Sequence, residues 1–438
     1  MRASYSMLNP MKSIQYIIAV VLIFCVSTSI SGNSPGQLNI PTPGDNEIPV
    51  SVYPSSGETV LVWISSEAGP QTAEVEFAQR LSQSGTEVWM SNLFEAHFLP
   101  TAQSSMDRVP ATDVASLIQS AYEHTRKSVY IVTSERGIIP ALRGIHHWQS
   151  THPGLNFFHG LIVISPKVFV EAPDAGGQAR FMPIVLSSNL PVYIMQPELS
   201  PWHWRLKDIV SALSGGGSDV FVYRLQGMRD RFYFRPDATD KEKAIRQRLP
   251  ALLQQAVRLL KSLPDKSRTA TPFPDSYNNR LPVSPGRKAH TLKRYQGDPT
   301  PPPLKLKTTG GKVYNLADYR GKVVLVNFWA SWCPPCLAEM PSMERLNKLM
   351  ADKPFTILAV NMAENKEVIR HFLQTKIKVH FTILLDSDGT ALRRWKVFAF
   401  PTSFVIGPDG RIRYGLVGAT EWDSPGIVKK LNALLPLN

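Results

Sequence analysis

Two cysteines separated by two residues, at the end of an unbroken apolar run, constrain this chain more than any other feature. In Val323-Val-Leu-Val-Asn-Phe-Trp-Ala-Ser-Trp-Cys-Pro-Pro-Cys336 a run the length of a buried strand delivers Cys333 and Cys336 onto a predicted helix start. A helix N-terminus, with its free N–H groups, favours a thiolate. The pair is therefore placed for reversible thiol–disulfide exchange. Cys333, first in the pair, is the expected attacking thiol, with an accessible sulfur. Cys336, one turn in and more buried, is the expected resolving thiol. Pro334 and Pro335 restrict the loop and suit a first helical turn. The remaining cysteine, Cys25, lies in an N-terminal apolar run. One pair leaves no disulfide framework and no four-cysteine zinc site. No second ligand pair stands at metal spacing, so neither metal nor cofactor is expected.

A chain of 438 residues has room for two or three domains, and 43% apolar with 19% charged residues marks it as globular. The formal charge of +13 raises the question of an anionic partner. No RNA-binding aromatic motif and no long basic tract accompanies it, so nucleic-acid binding is not expected.

Residues 1–32 have the form of an export signal or N-terminal anchor: Arg2 and Lys12, then Tyr16 to Val26 apolar, then small polar residues. The apolar run is short for a spanning helix. Phe24 before Cys25 argues against a lipid-modified cysteine. Either form of the segment places the remainder outside the cytoplasm, where disulfides persist. Residues 33–57, rich in Pro, Ser, Gly and Asn, are expected to be a tether. Strand and helix patterns alternate over 58–262, which predicts a doubly wound α/β domain. Residues 263–303, with many prolines and basic residues, are an expected interdomain linker. Residues 304–438 form a second α/β unit, with Pro341 predicting a kink in the helix after the cysteines.

Two further residues of that unit invite roles. Glu339, one turn beyond Cys336, is either a proton donor and acceptor for the buried thiol or a surface helix charge. Pro401, in Phe400-Pro-Thr402 at a strand mouth, is either a cis proline that leaves neighbouring backbone free to pair with a substrate or a trans proline in a turn. The cysteine segment, with Glu339-Met-Pro341, Phe400-Pro-Thr402 and the lead-in Tyr314-Asn-Leu-Ala-Asp-Tyr-Arg-Gly-Lys322, resembles the TlpA/ResA-like branch of the thioredoxin superfamily over roughly residues 298–438. The resemblance implies a thioredoxin fold, Cys333 as nucleophile, Cys336 as resolving thiol, Glu339 as the active-site acid and Pro401 as the cis proline. It also implies disulfide-bearing envelope proteins as substrates, as in cytochrome c maturation, and a membrane thiol electron donor. Redox direction stays open, because such pairs also act as oxidants.

The α/β domain resembles an α/β-hydrolase in outline. Val129-Tyr-Ile-Val-Thr-Ser-Glu-Arg-Gly137 runs from strand to helix, with Thr133 and Gly137 at the glycine positions of G-x-S-x-G. Glu135 then stands at the nucleophile position and Ser134 one place early. Glu198 is the candidate acid, and no histidine occurs between His203 and His290. The expectation is a degenerate domain that binds or positions a client, with the Arg229-to-Arg235 segment either a contact surface or an ordinary salt-bridged edge.

Overall fold

The structure is a computed structural model that describes residues 35–44, 46–170, 175, 180–264, 268–272, 291–362 and 364–436. The expected signal or anchor at 1–32 lies outside the described residues.

The first sheet has eight strands in the order β1-β2-β4-β3-β5-β6-β7-β8. They are β1 Gly36–Pro41, β2 Glu47–Tyr53, β3 Thr59–Ile64, β4 Thr86–Ser91, β5 Ser128–Ser134, β6 Phe158–Ile164, β7 Val192–Leu199 and β8 Val220–Arg229. From β4 through β8 all neighbours are parallel. Parallel strands are covered on both faces. That is why β3 and β5 are continuous apolar runs with almost no exposure. Helices Ala111–Thr125, Ile138–Thr151 and Leu206–Gly215 cover one face, and Thr72–Gln83 and Asp240–Lys261 the other.

The expected tether is corrected. β1 and β2 pair as an antiparallel hairpin, and β2 pairs antiparallel with β4. Ile40, Ile48 and Val50 are fully buried in the first core. Their period-two spacing is a strand signal that the surrounding Pro, Gly and Asn obscured. Ile48→Ala is expected to lower stability by about 2–5 kcal/mol, the usual cost of truncating a buried isoleucine, read from urea unfolding; a tether would lose almost nothing.

The second sheet runs β11-β10-β14-β13-β12-β15-β16-β9, with β9 Lys293–Arg294, β10 Lys305–Thr308, β11 Val313–Asn315, β12 Val323–Trp329, β13 Phe355–Met362, β14 Thr382–Asp386, β15 Thr402–Ile406 and β16 Ile412–Val417. Central β12 is parallel to β13 and antiparallel to β15. The helix Pro334–Leu349 runs on from the end of β12 and continues through Pro341.

The linker expected at 263–303 is also revised where it is described. Arg268 bonds to the backbone of Asn189 and to Asp219 in the first sheet's domain. Leu292 is buried in the second core, β9 pairs with β16, and the Ile412 N–H donates to Pro299 O at 2.7 Å. These short pieces lack apolar periodicity because they bind through backbone groups and single side chains. Both sheets lie within one compact unit, Pro35–Asn438. Buried Ala175 packs in the same cluster as Leu304 and Phe404. The Arg205 guanidinium sits 5.3 Å from the Phe398 ring centroid.

Candidate active site

Strand β12 is buried along its whole length and ends beside the pair it was expected to deliver. Cys333 is the N-cap of the following helix, with extended backbone, and Pro334 and Pro335 occupy the first turn. Their missing N–H groups cost nothing there, since the first helical donors have no intrahelical acceptor. Cys333 and Cys336 are joined in a disulfide with Cα atoms 5.3 Å apart. The Cys336 N–H points at Cys333 Sγ, 3.3 Å away. One expectation needs revision. Cys333 is only 4% exposed and Cys336 1%. In the closed disulfide both sulfurs join the apolar cluster of Ala330 and Met340, against which Trp332 and Phe400 pack.

The Phe400–Pro401 bond is cis. Thr402 faces Phe328 in the β12–β15 register, so Pro401 lies at the same sheet end as the cysteine loop. The Pro401 carbonyl accepts from the Gly418 N–H at 2.8 Å. Phe400 meets Trp332 edge-on, with centroids 5.9 Å apart.

Glu339 is 2% exposed, which removes the surface-charge alternative. Its carboxyl accepts from Asn327 Nδ2 at 2.8 Å, Trp422 Nε1 at 3.1 Å and the Thr420 N–H at 3.3 Å. Burial pushes it up to about 8, against the downward pull of those three donors. A carboxyl that keeps its proton near neutrality, one turn from Cys336, is equipped to exchange that proton with a thiol.

Sequence reasoning missed Asn327, Trp422 and Glu364. The signal for Asn327 was an amide inside an otherwise apolar strand, since such a group needs a buried partner. Glu364 accepts from the Ser331 N–H at 2.7 Å, the Ser331 hydroxyl at 2.5 Å and Asn361 Nδ2 at 2.7 Å. It therefore holds the turn just before Cys333, a role that only the tertiary fold reveals.

Residues 295–435 match the family model described as Redoxin. The chain is 37% identical to the thiol-disulfide oxidoreductase ResA of Bacillus subtilis strain 168 over 111 residues, 25% of this chain and 62% of that one. It is 35% identical to ResA of Geobacillus thermodenitrificans over 119 residues, 27% of this chain and 68% of the relative. The chain belongs to the ResA-like redoxin family. It spans between 62% and 68% of the length of these two curated relatives. The solved StoA structure from Bacillus subtilis aligns at 26% identity over 31% of this chain and 98% of its own, with a TM-score of 0.27. The ResA-like match begins at residue 295 and leaves the first sheet outside it.

In that first sheet the turn from β5 into the next helix is built around Glu135. Glu135, with φ 51°, is the left-handed residue directly after β5. A Cβ on Gly137 would stand 2.1 Å from Thr133 Oγ1 and 2.8 Å from Ser65 O, so only glycine fits. The turn carries an ion cluster and no nucleophilic hydroxyl. Arg231 donates to both Glu135 oxygens at 2.7–3.0 Å, and Lys167 Nζ lies 2.9 Å from Oε1. Burial pushes the Glu135 carboxyl up, but Lys167 and Arg231 outweigh it and hold it well below the usual range. Ser134 is buried in β5 and accepts from the Tyr233 hydroxyl at 3.0 Å. Glu198 accepts from the Gly227 N–H at 2.9 Å. His203 is held below its ordinary value by burial and by Arg224. Ser134 and Glu198 are thus tied up in separate local contacts. Of the candidate contact segment, Arg229, Asp230, Phe232 and Tyr233 are buried in their own domain, and Arg235 reaches the redox site.

Proposed function

We propose that this protein is a thiol–disulfide oxidoreductase that works outside the cytoplasm as a reductase of disulfides in envelope proteins, with cytochrome c maturation as the first setting to test. The observation that carries this reading is the Cys333–Cys336 disulfide at the helix start, at the sheet end that also holds cis-Pro401. In the reduced protein the Cys333 thiolate attacks one sulfur of a substrate disulfide and expels the other as a thiolate. Cys336 then attacks Cys333 Sγ, releases the second substrate thiol and regenerates the internal disulfide. Glu339 takes the proton that Cys336 sheds and returns it when the pair is reduced again. Pro401 presents the strand mouth to the substrate backbone. A membrane thiol donor supplies the two electrons. The sequence of residues 1–32 supports export by signal or anchor; among the described residues no helix is long and apolar enough to cross a membrane.

The α/β domain, 58–262 in the sequence reading and extended to Gly36 by the hairpin, is a non-catalytic, hydrolase-like partner that selects the client. The ion cluster in its strand-to-helix turn supports that reading. Cys336→Ser protein, expressed in cells and purified without reductant, is expected to carry mixed disulfides through Cys333, and mass spectrometry of the released proteins names the clients. Recovery of Cys336→Ser protein with a free Cys333 thiol and no adduct would sink the proposal.

A further inference from the structure

Arg235 of the α/β domain reaches the redox site. After β8 the chain turns through Asp230–Phe234 and places Arg235, 8% exposed, against the loop that carries the cysteines. Its guanidinium carbon is 5.1 Å from the centroid of Trp332, the residue before Cys333. Its Nη2 is 3.6 Å from Glu364 Oε1, a side chain with no exposure. Glu364 in turn holds Ser331 by backbone and hydroxyl. On the other side Asp237 grips Arg235 with two bonds at 2.9 and 3.0 Å. Asp237 also accepts from Arg229 at 2.8 Å, and Arg229 pairs with Glu242 at 2.6 Å. The charges alternate from Glu242 to Glu364 across the contact between the two sheets. A planar guanidinium held in this way has little freedom to leave.

We propose that Arg235 is a positioning residue of the redox site, supplied by the α/β domain, that neutralises Glu364 and stacks on Trp332 so as to set the charge felt at Cys333 and with it the poise of the dithiol. This rests on reading Cys333 and Cys336 as the working redox pair. With Arg235 in place, the buried Glu364 that holds Ser331, two residues before Cys333, is compensated. Without it Glu364 faces the Cys333 thiolate as an unpaired like charge, which disfavours the thiolate and therefore the reduced state.

The test measures two quantities on the full-length protein: the pH midpoint of Cys333 thiolate formation, from ultraviolet absorbance, and the equilibrium with glutathione. Arg235→Ala is expected to raise the midpoint by about one pH unit and shift the equilibrium roughly tenfold toward the disulfide, about 30 mV more reducing. Arg235→Lys, which keeps the charge, is expected to retain most of the wild-type poise. Glu364→Gln is expected to move both quantities the opposite way, and the Arg235→Ala, Glu364→Gln double variant to return close to wild type. Arg235→Ala protein that melts cooperatively yet keeps the wild-type midpoint and equilibrium would overturn the proposal. So would equal shifts in the Ala and Lys variants, since a packing defect ignores charge. If Arg235→Ala does not fold, the opposite shift in Glu364→Gln decides: its absence overturns the idea. A wild-type protein whose pair does not equilibrate with glutathione would overturn the underlying redox reading instead, which keeps the two failures distinct.

Discussion

Cys333→Ser protein is expected to reduce insulin disulfides no faster than the reductant alone. Serine keeps the N-cap position and the helix start but replaces a polarisable thiolate with an un-ionised hydroxyl, so no sulfur remains at the mouth of the site. Cys336 does not substitute for it, because it lies inside the first turn of the helix, behind the N-cap position that Cys333 occupies. Loss of the cross-link does not explain such a result. A loop this short contributes about 2 kcal/mol by chain entropy, within the range a folded domain of this size survives. The control is internal: Cys336→Ser loses the same cross-link yet is expected to retain the attacking thiol. Wild-type turnover by Cys333→Ser protein would remove Cys333 from the mechanism.

Glu339→Gln is expected to flatten the pH dependence of stability. The folded carboxyl titrates at about 8, whereas an unfolded glutamate titrates near ~4.3. Between those values the folded state holds a proton that the unfolded state has released. The contribution of Glu339 is therefore fully present below the unfolded value and is lost as pH rises through the folded one. Integrated over the interval it is on the order of 5 kcal/mol. Glutamine is neutral throughout. It offers one acceptor oxygen fewer to the donors of Asn327, Trp422 and Thr420, a cost that does not change with pH. Urea unfolding of the oxidised proteins at pH 5, 7 and 9 should therefore show the wild type losing several kcal/mol relative to the variant. Turnover of the variant should also lack the limb near pH 8. Parallel stability curves would mean that Glu339 is ionised in the folded protein and holds no proton to give.

Legibility followed the range of the interactions. Cys333, Pro334, Pro335, Cys336 and Glu339 lie within seven consecutive positions of one strand–helix junction, so spacing alone placed them on the same turns. Cis-Pro401 is remote in sequence and came from the family resemblance. Asn327, Glu364 and Trp422 act on the site through side-chain bonds across 12 to 83 positions of chain; the amide of Asn327 in an apolar strand signalled a buried partner without naming it, and no local pattern marks Glu364 or Trp422. The hairpin at 36–53 was hidden by residues typical of loops, although its buried positions alternate as a strand requires. β9 is two residues long and has no period to read. Arg235 stood in a segment whose charges and aromatics suggested a contact, but which of them stays inside its own domain depends on the turn after β8.

The ion cluster at Glu135 restricts what can replace that residue. A serine placed there alone would not make a nucleophile, because Lys167 and Arg231 would be left sharing Glu67 as counter-ion. Stripping one partner from a buried ion pair commonly costs about 3–5 kcal/mol. Ester chemistry at this turn would need both cations exchanged and a histidine installed beside the new serine. The cluster thus commits this turn to charge pairing: Glu135 cannot be exchanged singly without leaving Lys167 and Arg231 short of a counter-ion.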